Sequence, residues 1–210
     1  MHLWGLALFG AVAAATWWAP PWPAEQALHS SLTVVALGGL WWVHRRIGLP
    51  ARVWTWALVF LTLHTIAARW LYSSVPYDDW TGGLFGFRLS EVFGWERNHF
   101  DRLVHFAYGL CLAMALRLRP VRALEVVLAT SALYELFEWG IAELLAPGTA
   151  EAYNGQQGDM WDAHKDMALA ALGALVAVVV HTVRRTPRHD AILGAGQLSG
   201  RRPVRGGNLR

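Results

Sequence analysis

The chain has 210 residues, of which 55% are apolar and only 16% are charged. This composition excludes an ordinary soluble domain and is typical of an integral membrane protein. The net charge of +3 comes largely from the tail after Val183 and from two short loops, so the basic residues indicate membrane topology and do not form a nucleic-acid-binding surface.

Six apolar segments are long enough, or nearly so, to cross a bilayer as helices. A hydrocarbon core about 30 Å thick requires roughly 20 helical residues. In chain order the predicted spans are residues 3–19, 27–43, 53–68, 103–116, 121–145 and 160–183. The fourth is short and the last two contain acidic residues, so these three depend on a shielded interior, and a count of five spans stays open. The predicted fold is all-α, a polytopic membrane bundle of about six transmembrane helices.

Charged residues divide the connections between these spans into two sets. Arginines such as Arg45 and Arg117 lie between the second and third spans and between the fourth and fifth, and Arg184 follows the sixth. Acidic residues such as Glu25 and Glu96 dominate the other connections. Because basic loops stay on the cytoplasmic side, the pattern predicts six spans with both termini in the cytoplasm.

The two ends of the chain have compositions of their own. Residues 13–15 are alanines, so cleavage of the first segment as a signal peptide is an alternative, but no basic region precedes it. Trp17 and Trp18 favour an interfacial anchor instead. Residues 184–210 are rich in Arg and Gly. They predict a disordered, basic cytoplasmic tail after a transmembrane domain of residues 1–183.

Ionisable residues are grouped near one end of the last three spans. A charged side chain at the bilayer centre costs about 2.5 kcal/mol or more, so each one needs a partner or water. Helical spacing puts Asp101 on the same face as His105, and Glu135 on the same face as Glu138. With the predicted topology, these groups lie at a similar depth beneath the outer face. The predicted pocket residues are His64, Asp101, Arg102, His105, Glu135, Glu138, Asp159, Asp162, Lys165 and Asp166.

Three interpretations of this pocket stay open. In the first, the charges form only a structural network, in which Arg102 and Lys165 neutralise carboxylates, and the chain is an accessory subunit of a membrane complex. In the second, a divalent metal ion is bound by ligand types that bundle-core sites use, namely Asp101, His105, Glu135, Glu138 and Asp162. In the third, the pocket holds the headgroup of an envelope lipid or a polyprenyl lipid.

An enzymatic version of the second interpretation is metal-assisted or acid/base chemistry on a membrane lipid. His105 or Glu138 is then the candidate proton acceptor. No Walker, Rossmann or nucleophile-elbow pattern occurs in the sequence, so nucleotide binding and serine hydrolysis have no support. The connection of residues 69–99 has no evident secondary structure in its sequence, and its glycines suggest tight turns and a cap over the pocket, or else an interfacial loop anchored by tryptophans.

Three short strings resemble the YjdF-like family of bacterial inner-membrane proteins. They are RNHFDRLVHF at residues 97–106, YELFEW at 134–139 and GQQGDMWD at 155–162. The resemblance extends back to Tyr72–Trp80 and covers roughly residues 60–180. More distantly, an Asp followed by a His at a helix start, with acidic residues in the next two segments, is similar to VanZ-like proteins. The YjdF-like resemblance implies a multi-pass protein of the bacterial inner (plasma) membrane, without a known activity or substrate. The VanZ-like similarity implies a role in the bacterial envelope.

Overall fold

The computed structural model describes residues 3–144 and 155–199, with side chains in the second range as far as Arg184. Within these ranges all regular secondary structure is helical, which confirms the predicted all-α class. The helices are α1 (Leu3–Thr16), α2 (Pro23–Ile47), α3 (Ala51–Arg69), α4 (Tyr77–Phe85), α5 (Leu89–Phe93), α6 (Phe100–Leu116), α7 (Pro120–Leu144) and α8 (Asp162–Ser199). The six longer helices follow the order of the six predicted spans. The number that cross the bilayer and the side on which the termini lie stay predictions.

The outer faces of these helices are apolar. By length and hydropathy alone, α3 and the Asp162–Arg184 part of α8 are able to cross a membrane, and α1 is a shorter apolar helix. Large apolar side chains are exposed around the bundle, among them Val35 on α2, Leu133 on α7 and Val179 on α8. A continuous apolar exterior of this kind is suited to contact with lipid chains.

Helix α8 continues beyond the boundary predicted for the transmembrane domain. Its backbone is helical to Ser199, within the segment 184–210 for which the composition predicts disorder. Residues 200–210 lie outside the described part of the chain. The division of the chain at residue 183 stays a prediction.

The connection between α3 and α6 contains helices that the apolar pattern does not indicate. Helix α4 has Asp78 and Asp79 in its first turn and ends at Gly86, whose φ of 76° is the left-handed conformation of a helix cap. The Asp78 carboxylate also accepts a hydrogen bond of 2.9 Å from the backbone N–H of Ser90 in α5. Local capping therefore orders a segment that hydropathy alone assigns to a loop.

Helix α6 is central, because it packs against α3, α7 and α8. Its closest approach is to α8, where two glycines leave no side chain between the backbones. A Cβ atom added to Gly109 would lie 1.8 Å from the carbonyl oxygen of Ala170, and one added to Gly173 would lie 2.1 Å from that of Phe106. Small residues allow this kind of backbone contact between membrane helices.

The contacting faces of α6 and α8 also carry the acidic residues. Asp101 precedes Gly109 by two steps of four residues, and Asp162 precedes Ala170 by the same interval. Residues four apart lie on one helical face. Gly109 meets Ala170, and the carboxylates of Asp101 and Asp162 also lie close together, so α6 and α8 run in the same direction with their acidic first turns side by side.

We expect Gly109→Ala to destabilise the protein by about 1–3 kcal/mol, because the added methyl group must separate α6 from α8. Thermal unfolding in mild detergent measures the effect. Gly140→Ala on α7 is the matched control, since no atom lies within 4 Å of its added Cβ. Alanine is the better helix former, so the control should be at least as stable as the parent protein. Equal stability of the two variants would contradict the close contact.

Candidate polar site between α6, α7 and α8

Arg97 lies at the centre of a buried ion-pair network beside the first turns of α6 and α8. Its guanidinium contacts the Asp162 carboxylate at 2.6 Å and also pairs with Asp101. The three side chains are only 13%, 6% and 7% exposed, respectively. Arg97 is not among the predicted pocket residues. The signal that could have indicated it is its position four residues before Asp101, which is the spacing of an ion pair on one helical face.

The two cations predicted as counter-charges instead meet at Asp159. Arg102 and Lys165 each approach the Asp159 Oδ2 atom to 2.6 Å. Asp159 lies in the turn before α8, and the hydrogen bond from Lys165 lowers the pKa of its carboxyl group to about 2. Asp159 is therefore ionised at every physiological pH and holds the start of α8 against α6.

A pair of reciprocal hydrogen bonds joins the segments that precede α6 and α8. The Asn98 backbone N–H donates to the Gln157 side-chain oxygen at 2.9 Å, and the Gln157 amide donates back to the Asn98 carbonyl oxygen at 3.0 Å. Gln157 has a φ of 51° and lies between Gly155 and Gly158, which also have positive φ. This turn carries the third motif string, which thereby contacts the first.

His105, Glu135 and Asp166 form a second cluster one turn deeper, with one residue from each of α6, α7 and α8. His105 Nδ1 lies 3.8 Å from Glu135 Oε1, and His105 Nε2 lies 3.9 Å from Asp166 Oδ2. The side chains are 13%, 11% and 6% exposed, respectively. Among the described residues, no Lys or Arg nitrogen is within ion-pairing distance of either carboxylate.

Two carboxylate oxygens in this cluster lack hydrogen bonds. Glu135 Oε1 and Asp166 Oδ1 are buried without a hydrogen-bond partner in the described part of the chain. Buried carboxylate oxygens require a proton, a cation or a donor, because an unpaired buried charge is strongly unfavourable. The cluster therefore lacks a group that would compensate these two oxygens.

Asp166 also belongs to a purely acidic group. One carboxylate oxygen from each of Asp101, Asp162 and Asp166 lies within 4.8 Å of the others, and the same limit holds for the donors of His105, Glu135 and Asp166. Arg97 already compensates Asp101 and Asp162. The acids thus divide into a compensated pair and an uncompensated carboxylate that faces His105.

The structure places the remaining predicted pocket residues outside these clusters. Glu138 is half-buried on α7 and hydrogen-bonds with Tyr134. His64 is buried on α3, where its Nε2 atom donates to the His29 carbonyl oxygen at 3.3 Å and its Nδ1 atom accepts from the Tyr72 hydroxyl. His64 and His105 share a cavity, because both line it, but His64 does not reach the carboxylates.

We expect Arg97→Ala to destabilise the protein by about 3–5 kcal/mol, because it leaves two buried carboxylates without their cation. The control is Arg88→Ala, which removes exposed pairs with Asp79 and Glu91 and should change stability by no more than about 1 kcal/mol. Unfolding of both variants is measured in the same detergent. Asp162→Asn combined with Arg97→Ala should lose less than the sum of the single effects; strict additivity would contradict the pairing.

The low pKa of Asp159 predicts a pH-dependent contribution to stability. The carboxyl pKa is about 2 in the folded protein and about 3.9 in an unfolded chain, so the stabilisation is complete above the unfolded value and is lost as pH falls through the folded one. Melting temperatures are compared for the parent protein and Asp159→Asn. Their difference should be largest at pH 5 to 6 and should shrink as pH falls towards 2. A difference that does not vary with pH would contradict this role.

Comparisons with known proteins agree with the helical, apolar architecture. A family model described as "Predicted membrane protein (DUF2238)" matches residues 1–187. The chain is also 34% identical over 148 residues to the inner membrane protein YjdF of Escherichia coli (strain K12), an alignment that covers 64% of this chain and 66% of the relative. The chain thus spans slightly less than two thirds of that relative's length. No solved structure matches the chain.

These matches confirm the predicted YjdF-like resemblance and the predicted location in a bacterial inner membrane, whereas the more distant similarity to VanZ-like proteins stays a prediction. The bilayer is accordingly the environment of the bundle. The chain belongs to the DUF2238 family of membrane proteins.

Proposed function

We propose that this inner-membrane protein binds a divalent transition-metal ion between α6, α7 and α8, with His105, Glu135 and Asp166 as ligands. The observation that supports the proposal is the uncompensated cluster itself. Two buried carboxylate oxygens have no hydrogen-bond partner among the described residues, and no cationic side chain in that part of the chain is close enough to pair with them. A bound cation would satisfy both oxygens.

The donor set favours a transition metal over Ca²⁺ or Mg²⁺. An imidazole nitrogen suits Zn²⁺, Fe²⁺ or Ni²⁺, whereas all-oxygen sites suit the harder cations. One donor atom from each of the three residues lies within 4.8 Å of the others, whereas two ligands of a tetrahedral Zn²⁺ ion, each about 2.1 Å from the metal, are about 3.4 Å apart. Side-chain movements of about an ångström would therefore complete the coordination.

The two His105 nitrogens face different carboxylates, Nδ1 towards Glu135 and Nε2 towards Asp166. An imidazole binds a metal through one nitrogen, so the carboxylate that faces the other nitrogen must turn towards the ion to become its third ligand. Three protein ligands leave an open coordination position, which favours an ion that binds a lipid headgroup over a purely structural ion.

Asp101 and Asp162 are left out of the ligand set, although their residue types suit a metal. Arg97 occupies both carboxylates, and a guanidinium and a divalent cation cannot share them without repulsion. Glu138 is also left out, because it lies outside both donor groups. The proposed site therefore differs from the ligand set expected from sequence by the inclusion of Asp166 and by the omission of Asp101, Glu138 and Asp162.

Metal analysis of the purified protein tests the proposal. After loading with Zn²⁺ or Ni²⁺ and desalting, the parent protein in mild detergent should retain about one ion per chain. His105→Ala, Glu135→Gln and Asp166→Asn should each lose most of that metal. Glu143→Gln, an exposed carboxylate on the same helix as Glu135, is the matched control and should retain it.

Thermal unfolding supplies a readout that is independent of the metal assay. A ligand that binds only the folded state adds about 2.7 kcal/mol at a hundred times its Kd, so Zn²⁺ should stabilise the parent protein and not the three ligand variants. Equal metal content in all variants, or a parent protein that retains none, would favour the interpretation that these charges form only a structural network.

A further inference from the structure

A cavity of about 230 Å³ lies between α2, α3, α6 and α7. Its deeper wall is apolar and is formed by side chains near the middle of these helices, including Leu32, Ala36, Phe60 and Leu61. The cavity is smaller than the roughly 300–1,000 Å³ of a typical small-molecule pocket. It therefore suits a segment of a ligand and not a whole drug-sized molecule.

Polar groups line the rest of the wall. His64 and Tyr72 are joined by a hydrogen bond, and His105 is the residue that the cavity shares with the carboxylate cluster. Ser131 is 1% exposed, lines the cavity, and its Oγ atom has no hydrogen-bond partner among the described residues. A buried hydroxyl without a hydrogen-bond partner is unfavourable, so Ser131 indicates an occupant that carries a hydrogen-bonding group.

Helices α2 and α7 both line the cavity but do not pack against each other, since α2 contacts α3 while α7 contacts α6 and α8. Among the described helices, no direct packing therefore closes the gap between α2 and α7. Val35 and Leu133, each next in sequence to a cavity-lining residue, are 71% and 64% exposed. In an inner-membrane protein, a mid-helix gap with apolar borders faces the hydrocarbon of the bilayer.

We infer that this cavity holds an acyl chain of a bilayer phospholipid, which enters between α2 and α7 with its headgroup end towards His105. The apolar inner wall fits the chain, and its limited volume requires the remainder of the lipid to stay in the gap or in the bilayer. The Ser131 hydroxyl is a donor that fits an ester or headgroup oxygen. The cavity assignment is independent of the metal, whereas the approach of the headgroup to an ion rests on the proposed function.

Photo-crosslinking in vesicles tests the inference. The full chain is reconstituted with phospholipid that carries a diazirine in its acyl chain, irradiated and digested, and labelled residues are located by mass spectrometry. Label is expected at Leu61 and Ser131, which are only 4% and 1% exposed and line the cavity. Label at exposed Leu133 serves as an internal reference for contact with bulk lipid.

A pair of tryptophan variants on α2 separates cavity binding from lipid contact at the surface. Ala36→Trp fills the cavity and should reduce labelling of Leu61 and Ser131 at least about fivefold, because packed interiors have no room for a second group. Val34→Trp adds the same ring to an exposed position on the opposite face of the helix from Leu32 and Ala36, and should leave that labelling unchanged. Leu32→Phe is a milder second variant, used if Ala36→Trp fails to fold by circular dichroism.

Several results would overturn the inference. They are label confined to exposed residues, equal labelling in the two tryptophan variants, or loss of cavity labelling when a polyprenyl phosphate is added to the vesicles, which would assign the cavity to that lipid. Metal measurements on the same samples keep the two proposals apart. Ala36→Trp should retain its metal and Glu135→Gln should retain its cavity labelling, so either proposal can fail alone.

Discussion

The backbone contact between α6 and α8 is the constraint on which the polar site depends. With glycine at positions 109 and 173 the two helices approach until an added Cβ atom would overlap a carbonyl oxygen. The helices run in the same direction, so this approach also brings together the carboxylates two turns earlier on the same faces. In apolar surroundings several carboxylates cannot lie so close without cations, protons or donors to compensate them.

Arg97 supplies one of these cations and thereby separates the acidic residues that are paired with a cation from those that are not. Its guanidinium compensates Asp101 and Asp162, while Arg102 and Lys165 compensate Asp159 near the surface. Asp166, one turn deeper, receives no such partner among the described residues. The carboxylates are thus compensated where α6 and α8 begin, whereas the carboxylate of Asp166, at the level of His105, is not. That division is the basis for placing a bound cation at the deeper level.

His105 connects the polar cluster to the cavity between α2, α3, α6 and α7. One side chain contributes to both regions, so a molecule in the cavity and an ion in the cluster would lie next to each other. A lipid has a hydrocarbon chain and a charged headgroup, which need adjacent but different environments. In an inner-membrane protein, a cavity beside a polar cluster would meet both needs. The hydrogen bonds between Asn98 and Gln157 hold the segments above this site together.

The sequence by itself determined the all-α membrane class, the order of the longer helices and the residues able to carry charge. These features follow from hydropathy, helical length and local spacing, which are properties of short segments. Tertiary structure alone decided which of those residues meet. The rotation of each helix about its axis depends on packing, as at Gly109 and Gly173, and this rotation brings Asp166 to His105 and leaves Glu138 outside the cluster. Arg97 compensates Asp162 across 65 positions of the chain, and no local pattern contains a contact of that range.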